Sequence, residues 1–235
     1  MNGFDAVCLD FYNTLAVHRD GRGRGKHLME YLNHHGFETD PWTHQVLYDV
    51  FEPHGREYSP THAPEVKHAY YCRLASRVFE RLSVRAPKEV AVDHAEAIWG
   101  ILGPSAFILY PETPTVLRSV KQAGLRTAVV SNWQCGLAHF CAELGLRANF
   151  DHVIASAEFG AGKPHPTIFL EACRRLRTSP TRTLHVGDTF VDDIEGARKA
   201  GLRAVLIDRS ANTVERSVER IASLEELLPL LEGLN

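Results

Sequence analysis

Residues 183–207, TLHVGDTFVDDIEGARKAGLRAVLI, hold two short apolar runs, Thr183–Val186 and Ala204–Ile207, separated by an acidic loop and a segment that stops at Gly201. Strand-length runs alternating with helical patterns signal βαβ units and therefore a parallel sheet. Working outward, the same kind of run recurs at Ala6–Leu9, Thr127–Val130 and Val153–Ala155. These runs are almost continuously apolar, as expected of strands covered on both faces. Helical segments between them carry clear punctuation. Pro111-Glu112 leads into TPTVLRSVKQAG, which stops at Gly124, and Pro164-His165-Pro166 leads into TIFLEACRRL. Proline costs little at a helix start, where its missing N–H would have no partner. Ser223 to Glu226 forms a capping-box pattern opening the last helix.

The stretch from Ala16 to Ile108 has a different texture. It reads as helices over Lys26–His35, Trp42–Phe51, Glu65–Leu82 and Lys88–Leu102, broken at Gly36, Pro41, Pro53 and Pro87. The expected architecture is therefore α/β: a Rossmann-like parallel sheet core over residues 1–15 and 109–235, with an inserted α-helical domain over 16–108. The insertion follows the first strand and is expected over the carboxyl ends of the strands, where open α/β sheets bind ligands. The run Gly21–Gly25 lacks the setting of a phosphate loop and reads as a hinge into the insertion.

Bulk properties narrow the function. At 235 residues, with 44% hydrophobic and 23% charged residues, the chain can bury a sizeable core. A net charge of −3 argues against binding nucleic acid through phosphate contacts. The five cysteines are odd in number, lie mostly in apolar runs, and read as reduced core residues. No run approaches the length of a membrane span, and the start MNGFDAVCLDF lacks a basic region ahead of an apolar one, so a cytoplasmic location is expected. His34-His35 and the pair His62/His68 do not make a metal-ligand spacing.

Four groups sit at or just after strand ends: Asp10, Ser131-Asn132, Lys163-Pro164, and Asp188 with the pair Asp192-Asp193. In a parallel sheet these ends face one crevice, so residues far apart in sequence can converge there. Taken singly, a strand-end aspartate is usually a turn or cap former. Together the groups are chemically complementary. A carboxylate can act as nucleophile through an aspartyl intermediate. Magnesium uses a few carboxylates, here Asp10 with Asp188 or Asp193. The Ser131 hydroxyl and the Lys163 ammonium add donors for the remaining oxygens of a transferred group.

In this order the four groups resemble the motifs of the haloacid dehalogenase-like hydrolase superfamily, over Asp10–Leu15, Ser131-Asn132, Lys163-Pro164 and Gly187-Asp188 to Asp193. The insertion lies where that superfamily carries a helical cap. The resemblance implies Asp10 as nucleophile, Ser131 and Lys163 as anchors, Thr14 and Asn132 as substrate contacts, and a Mg2+ site made by Asp10, Asp188, Asp193 and the Tyr12 main-chain carbonyl. It also makes Tyr12 the departure to explain. In the phosphatases of the superfamily a second aspartate stands two residues after the nucleophile and protonates the departing oxygen. A phenol, with an ordinary pKa of about 10, is a poorer acid near neutrality.

The 2-haloacid dehalogenases of the superfamily have tyrosine there, work without metal, and have glycine where this chain has Asn13. They generally lose the Gly-Asp pair of the fourth motif, which is intact here at Gly187-Asp188. Arg56 is the nearest match to a halide-binding residue, and Trp133 reads as a packed aromatic. Three functions stay open: a magnesium-dependent phosphatase acting on a small phosphorylated metabolite, which the acidic fourth motif favours; a 2-haloacid dehalogenase; and a non-catalytic phosphate-binding module. A small-molecule ligand is expected, with no nucleic-acid or membrane partner, and the sequence leaves the oligomeric state open.

Overall fold

The computed structural model describes residues 3–21, 23–51, 63–211 and 218–232. Pro53, Arg56 and His62 lie outside them, as does Arg22 within the Gly21–Gly25 run. The described chain divides into two compact units, one of residues 1–16, 109–132 and 146–235, the other of 17–108 and 133–145.

In chain order the elements are β1 (Ala6–Leu9), β2 (Ala16–His18), α1 (Arg24–His34), α2 (His44–Phe51), α3 (Pro64–Arg81), α4 (Lys88–Asp93), α5 (Ala95–Leu102) and β3 (Phe107–Leu109). They continue with α6 (Thr113–Gln122), β4 (Arg126–Ser131), α7 (Leu137–Glu143), β5 (His152–Ala155), α8 (Ser156–Phe159), α9 (Pro166–Leu176) and β6 (Thr183–Gly187). The last are α10 (Gly196–Lys199), β7 (Arg203–Ile207), β8 (Arg220–Ile221) and α11 (Leu227–Glu232).

The first unit is built on a parallel six-stranded sheet in the order β5-β4-β1-β6-β7-β8. The α/β class with a parallel core expected from the sequence is the observed one. Val7, Leu9, Val129 and Val186 are fully buried, and burying such a side chain contributes about 1.5–3 kcal/mol relative to exposure. Ala6, Cys8, Ala128, Val130 and Ile154 pack with Ile168, Phe169 and Ala172 of α9, so this helix covers one face of the central strands. Pro166 lies in the first turn of α9, and the capping box at Ser223 is made in both directions. All five cysteines are free thiols.

This topology decides where chemistry can occur. From β1 the chain goes on to β4 and β5 on one side, and later to β6, β7 and β8 on the other. The order reverses beside β1, which opens a crevice at its carboxyl end. The register makes the rim explicit: Leu9 is level with Val129 on one side and with Val186 on the other. Asp10, Ser131 and Asp188 therefore leave the sheet within a residue or two of one level.

The second unit is mainly helical. Tyr70 and Tyr71 of α3 pack on Trp99 of α5, the latter pair stacked at 4.8 Å, and Phe37 packs edge-on against Phe79. Two features differ from the sequence expectation. The segment expected as one helix over Lys88–Leu102 is two, α4 and α5, meeting at His94 with φ −98° and ψ 2°. The His94 ring at that junction is held by the Tyr31 hydroxyl at 2.6 Å and lies edge-on to Phe37, so tertiary packing overrides local helix propensity. The three-residue strands β2 and β3 pair as a small separate sheet. Among the described residues, no helix is long and apolar enough to cross a membrane.

Candidate active site

Asp10 follows β1 and stays in the sheet's hydrogen-bond pattern, its N–H donating to the Val186 carbonyl at 2.9 Å. The chain then turns tightly: the Leu15 and Ala16 amides both donate to the Phe11 carbonyl, and Asn13 takes a left-handed φ of 58°. Asparagine tolerates that conformation better than most residues. Here its side chain has a second use, because Asn13 Nδ2 donates to Asp188 Oδ2 at 3.1 Å. The turn at Asn13 thereby joins the end of β1 to the loop after β6.

Lys163 stands at the centre. Its ammonium is buried and donates to Asp10 Oδ1 at 2.6 Å and to Asp193 Oδ1 at 2.5 Å. The Asn132 amide fixes the backbone that carries it. Lys163 N donates to Asn132 Oδ1 at 2.7 Å, and Asn132 Nδ2 donates to the Lys163 carbonyl at 2.8 Å. Expected from the resemblance as a substrate contact, Asn132 directs its amide to the main chain of Lys163. Gly162 lets the two approach, since a Cβ there would lie 2.6 Å from Asn132 Oδ1.

Asp193 is the most committed of the acids. Its Oδ1 faces both Lys163 and, at 2.9 Å, His185 Nε2, while its Oδ2 accepts the Thr189 N–H at 3.0 Å. A π-helical turn over Phe190–Glu195 aims it inward. Such local departures from α geometry are frequent at functional sites. Gly187 makes room, because a Cβ there would lie 2.1 Å from the Asp193 carboxyl carbon. Thr14 is fully buried, and its Oγ1 has no hydrogen-bond partner among the described residues.

Two contributors escape a reading of the sequence. Arg209, just past β7, donates through Nε to the Asn13 carbonyl at 3.1 Å and through Nη2 to the Thr14 carbonyl at 2.8 Å. Its Nη1 reaches Glu112 at 2.7 Å, and its guanidinium lies over the Tyr110 ring at 3.4 Å. The turn after Asp10 is thus clamped from the far side of the sheet order. The second is His185, whose position inside a strand resembles any core residue; its other ring nitrogen, Nδ1, is buried without a partner among the described residues. The only sequence signal for Arg209 is its place two residues past a strand end.

The electrostatics follow from the crowding. Burial pushes the Asp10 carboxyl above the ordinary range and the Asp193 charge adds to that, with Lys163 and Ser131 pulling the other way. Burial also opposes ionisation of Asp193, but Lys163 and His185 outweigh it and hold that carboxyl below its usual range. For Lys163 burial disfavours the charge, yet the two carboxylates raise its pKa above that of an ordinary lysine. Asp188 rises from 3.8 to about 6, chiefly through burial and then through the charges of Asp10 and Asp193.

The ligand atoms of Asp10, Asp188 and Asp193 lie within 4.8 Å of one another. Three carboxylates face one ammonium, so the cluster is short of positive charge, which is costly when buried. The donors are all oxygen, as magnesium requires. These residues fit the ion, with Asp10 and Asp188 the acids least committed to other donors.

One consequence is measurable without substrate. The folded-state pKa of Asp188 lies above its unfolded value, so folding takes up a proton between about pH 4 and 6, and the stability from this group is lost as pH rises through that window. Asp188→Asn is therefore expected to stabilise the metal-free protein at pH 7, by up to about 3 kcal/mol, and to have little effect near pH 4. Denaturant melts of both proteins at the two pH values check this; an equal or lower stability of the variant at pH 7 would contradict it.

A family model described as haloacid dehalogenase-like hydrolase matches residues 4–201. The chain is 31% identical to Bos taurus haloacid dehalogenase-like hydrolase domain-containing protein 3 over 173 residues, covering 71% of this chain and 69% of that protein. It is 32% identical to a phosphoserine phosphatase of Thermus thermophilus over 203 residues, covering 83% and 79%. A 2-haloacid dehalogenase from Pseudomonas syringae pv. Tomato DC3000 superposes with a TM-score of 0.65 at 22% identity, covering 99% and 100%. That last likeness is one of fold.

Proposed function

Since the chain belongs to the haloacid dehalogenase-like hydrolase family, we propose that it is a magnesium-dependent phosphatase acting on a small phosphorylated metabolite through an aspartyl intermediate at Asp10. The observation that carries the reading is the buried Lys163 ammonium held between Asp10 and Asp193, with Asp188 beside them. The phosphatase named among its relatives supports the same reading.

In this account one Asp10 oxygen stays on Lys163 and the other attacks phosphorus. The P–O bond to the leaving group breaks, and water then attacks the phosphorus of the aspartyl phosphate, regenerating the carboxylate and releasing phosphate. Lys163 and the Ser131 hydroxyl orient the group being transferred and offset its charge, as phosphoryl transfer mostly requires. Asp10, Asp188, Asp193 and the Tyr12 carbonyl would hold magnesium, which would supply further charge neutralisation for the transferred group. Asn13, Asn132 and Arg209 position the turn and the loop that carry these groups.

The reading is tested by phosphate release from a panel of phosphorylated metabolites and an aryl phosphate, each with magnesium and with chelator. Magnesium-dependent release is expected, and equal rates under both conditions would overturn it.

Tyr12 favours substrates whose leaving group departs as a stabilised anion, such as aryl or acyl phosphates. General acid catalysis is typically worth about 10² to 10⁴ in rate, most of it on poor leaving groups. Tyr12→Asp is accordingly expected to raise kcat on alkyl phosphates by about 10²-fold or more and to change aryl phosphate turnover little. A uniform change on both substrate classes would remove Tyr12 from this role. The same residue supports a second reading, metal-independent dehalogenation, in which Asp10 displaces halide from carbon. Halide release from a 2-chloro acid in chelator would establish it.

A further inference from the structure

The helical unit holds a second convergence of ligand-type side chains. His18, on β2, turns Nδ1 to Asp20 Oδ1 at 2.5 Å, and His27, on α1, turns Nδ1 to Asp20 Oδ2 at 2.9 Å. The nearest donor atoms of all three residues lie within 4.8 Å of one another. His18 is buried at 2% exposure, with the edge of its ring against Phe107.

The other nitrogen of His18, Nε2, lies 3.2 Å from the Ile101 carbonyl. A carbonyl only accepts, so Nε2 carries the hydrogen, and Nδ1 of the neutral ring aims a lone pair at a carboxylate. Two acceptors come this close only when a cation, a second proton or a metal ion, is shared between them. At His27 the geometry speaks against a proton: its Nδ1 is buried and, despite the 2.9 Å approach, makes no hydrogen bond among the described residues.

We propose that His18, Asp20 and His27 form a binding site for a transition-metal dication of the zinc class, separate from the acidic cluster around Asp10. Two imidazoles and a carboxylate suit such an ion, whereas magnesium prefers oxygen alone. A metal-bound histidine usually donates its far N–H to a carbonyl or carboxylate, which is the contact His18 makes with Ile101. Bonds of about 2.0–2.1 Å in tetrahedral geometry set donor atoms about 3.3 Å apart, so the present contacts need to open by less than about 1 Å. A fourth position is left for water. The ion would tie β2 to the first turn of α1, and through the Ile101 carbonyl to α5, acting as a staple for this unit.

The test uses the untagged full-length protein, stripped with chelator and titrated with Co2+ in excess Mg2+. One equivalent is expected to give the visible d–d bands of a low-coordinate nitrogen–oxygen site, bleached by Zn2+, and Zn2+ is expected to raise the melting temperature. Asp188→Asn keeps both responses. His27→Gln and Asp20→Asn, each confirmed as folded by circular dichroism, weaken Co2+ binding by more than about 100-fold, since loss of an outer partner alone costs about 10- to 100-fold. The absence of bands in the parent protein, bands that survive both variants, or bands lost in Asp188→Asn would each overturn the proposal and leave His18 and Asp20 as a proton-bridged pair.

Discussion

Asp10→Asn is expected to lower turnover of every phosphorylated substrate by at least about 10⁴-fold while leaving the fold intact. The substitution keeps the shape of the side chain and removes the attacking oxygen. The fold is expected to tolerate it because burial already disfavours the Asp10 charge, and Asp193 remains to hold the Lys163 ammonium. The expected signature is a dead enzyme with an unchanged or raised melting temperature. Phosphate release in single-turnover and steady-state assays, beside thermal melts, checks both halves. Activity within tenfold of the parent would move the nucleophile elsewhere.

Lys163→Met is expected to damage stability as well as catalysis. The ammonium is buried between two carboxylates, and removing one partner of a buried ion pair typically costs about 3–5 kcal/mol. The pH dependence identifies the cause. Without Lys163, Asp10 and Asp193 both lose the cation that favours their ionised forms, so both protonate more readily in the fold. The destabilisation is therefore largest near neutrality and shrinks as pH falls. Turnover is expected to fall by about 10²- to 10³-fold, the usual range for loss of one preorganised donor. Denaturant melts at pH 5 and pH 7 are the check. A loss of stability independent of pH would mean that packing of the side chain, not its charge, is what matters.

Three residues of the rim could be read in the sequence from one property: each closes or directly follows a strand-length apolar run. Asp10 and Asp188 follow β1 and β6 at once, Ser131 is the last residue of β4, and parallel strands carry such residues to one edge. What could not be read depends on partners remote in the chain. Arg209 clamps the Asn13 and Thr14 carbonyls from 196 and 195 residues away, through main-chain atoms that no side-chain pattern announces. His185 lies mid-strand, where nothing separates a residue that orients Asp193 from one that fills a core. For Asn132 the residue type was legible and its direction was not, because only the structure brings the Lys163 main chain opposite its amide. The split of the Lys88–Leu102 segment at His94 likewise follows from Tyr31 and Phe37, which lie outside any local window.

In the proposed reaction Tyr12 and Asp188 act on different parts of the chemistry. There Tyr12 bears on the leaving group, whereas the acids and Lys163 concern the phosphoryl group. An intact acidic cluster beside a tyrosine is therefore consistent with a phosphatase restricted to easily departing groups. The stability that Asp188 is expected to forfeit at neutral pH fits the same account, since an acid kept at that cost is one that a bound cation would offset.

The most direct measurement is a calorimetric titration of magnesium into the chelator-treated protein and into Asp188→Asn between pH 5 and 7.5. The parent is expected to bind one ion, with affinity falling by about tenfold per pH unit below about 6 as Asp188 takes up a proton, and the variant is expected to bind none. Equal binding by both proteins, or none by the parent, would contradict the claim that these acids are held together to receive a divalent ion.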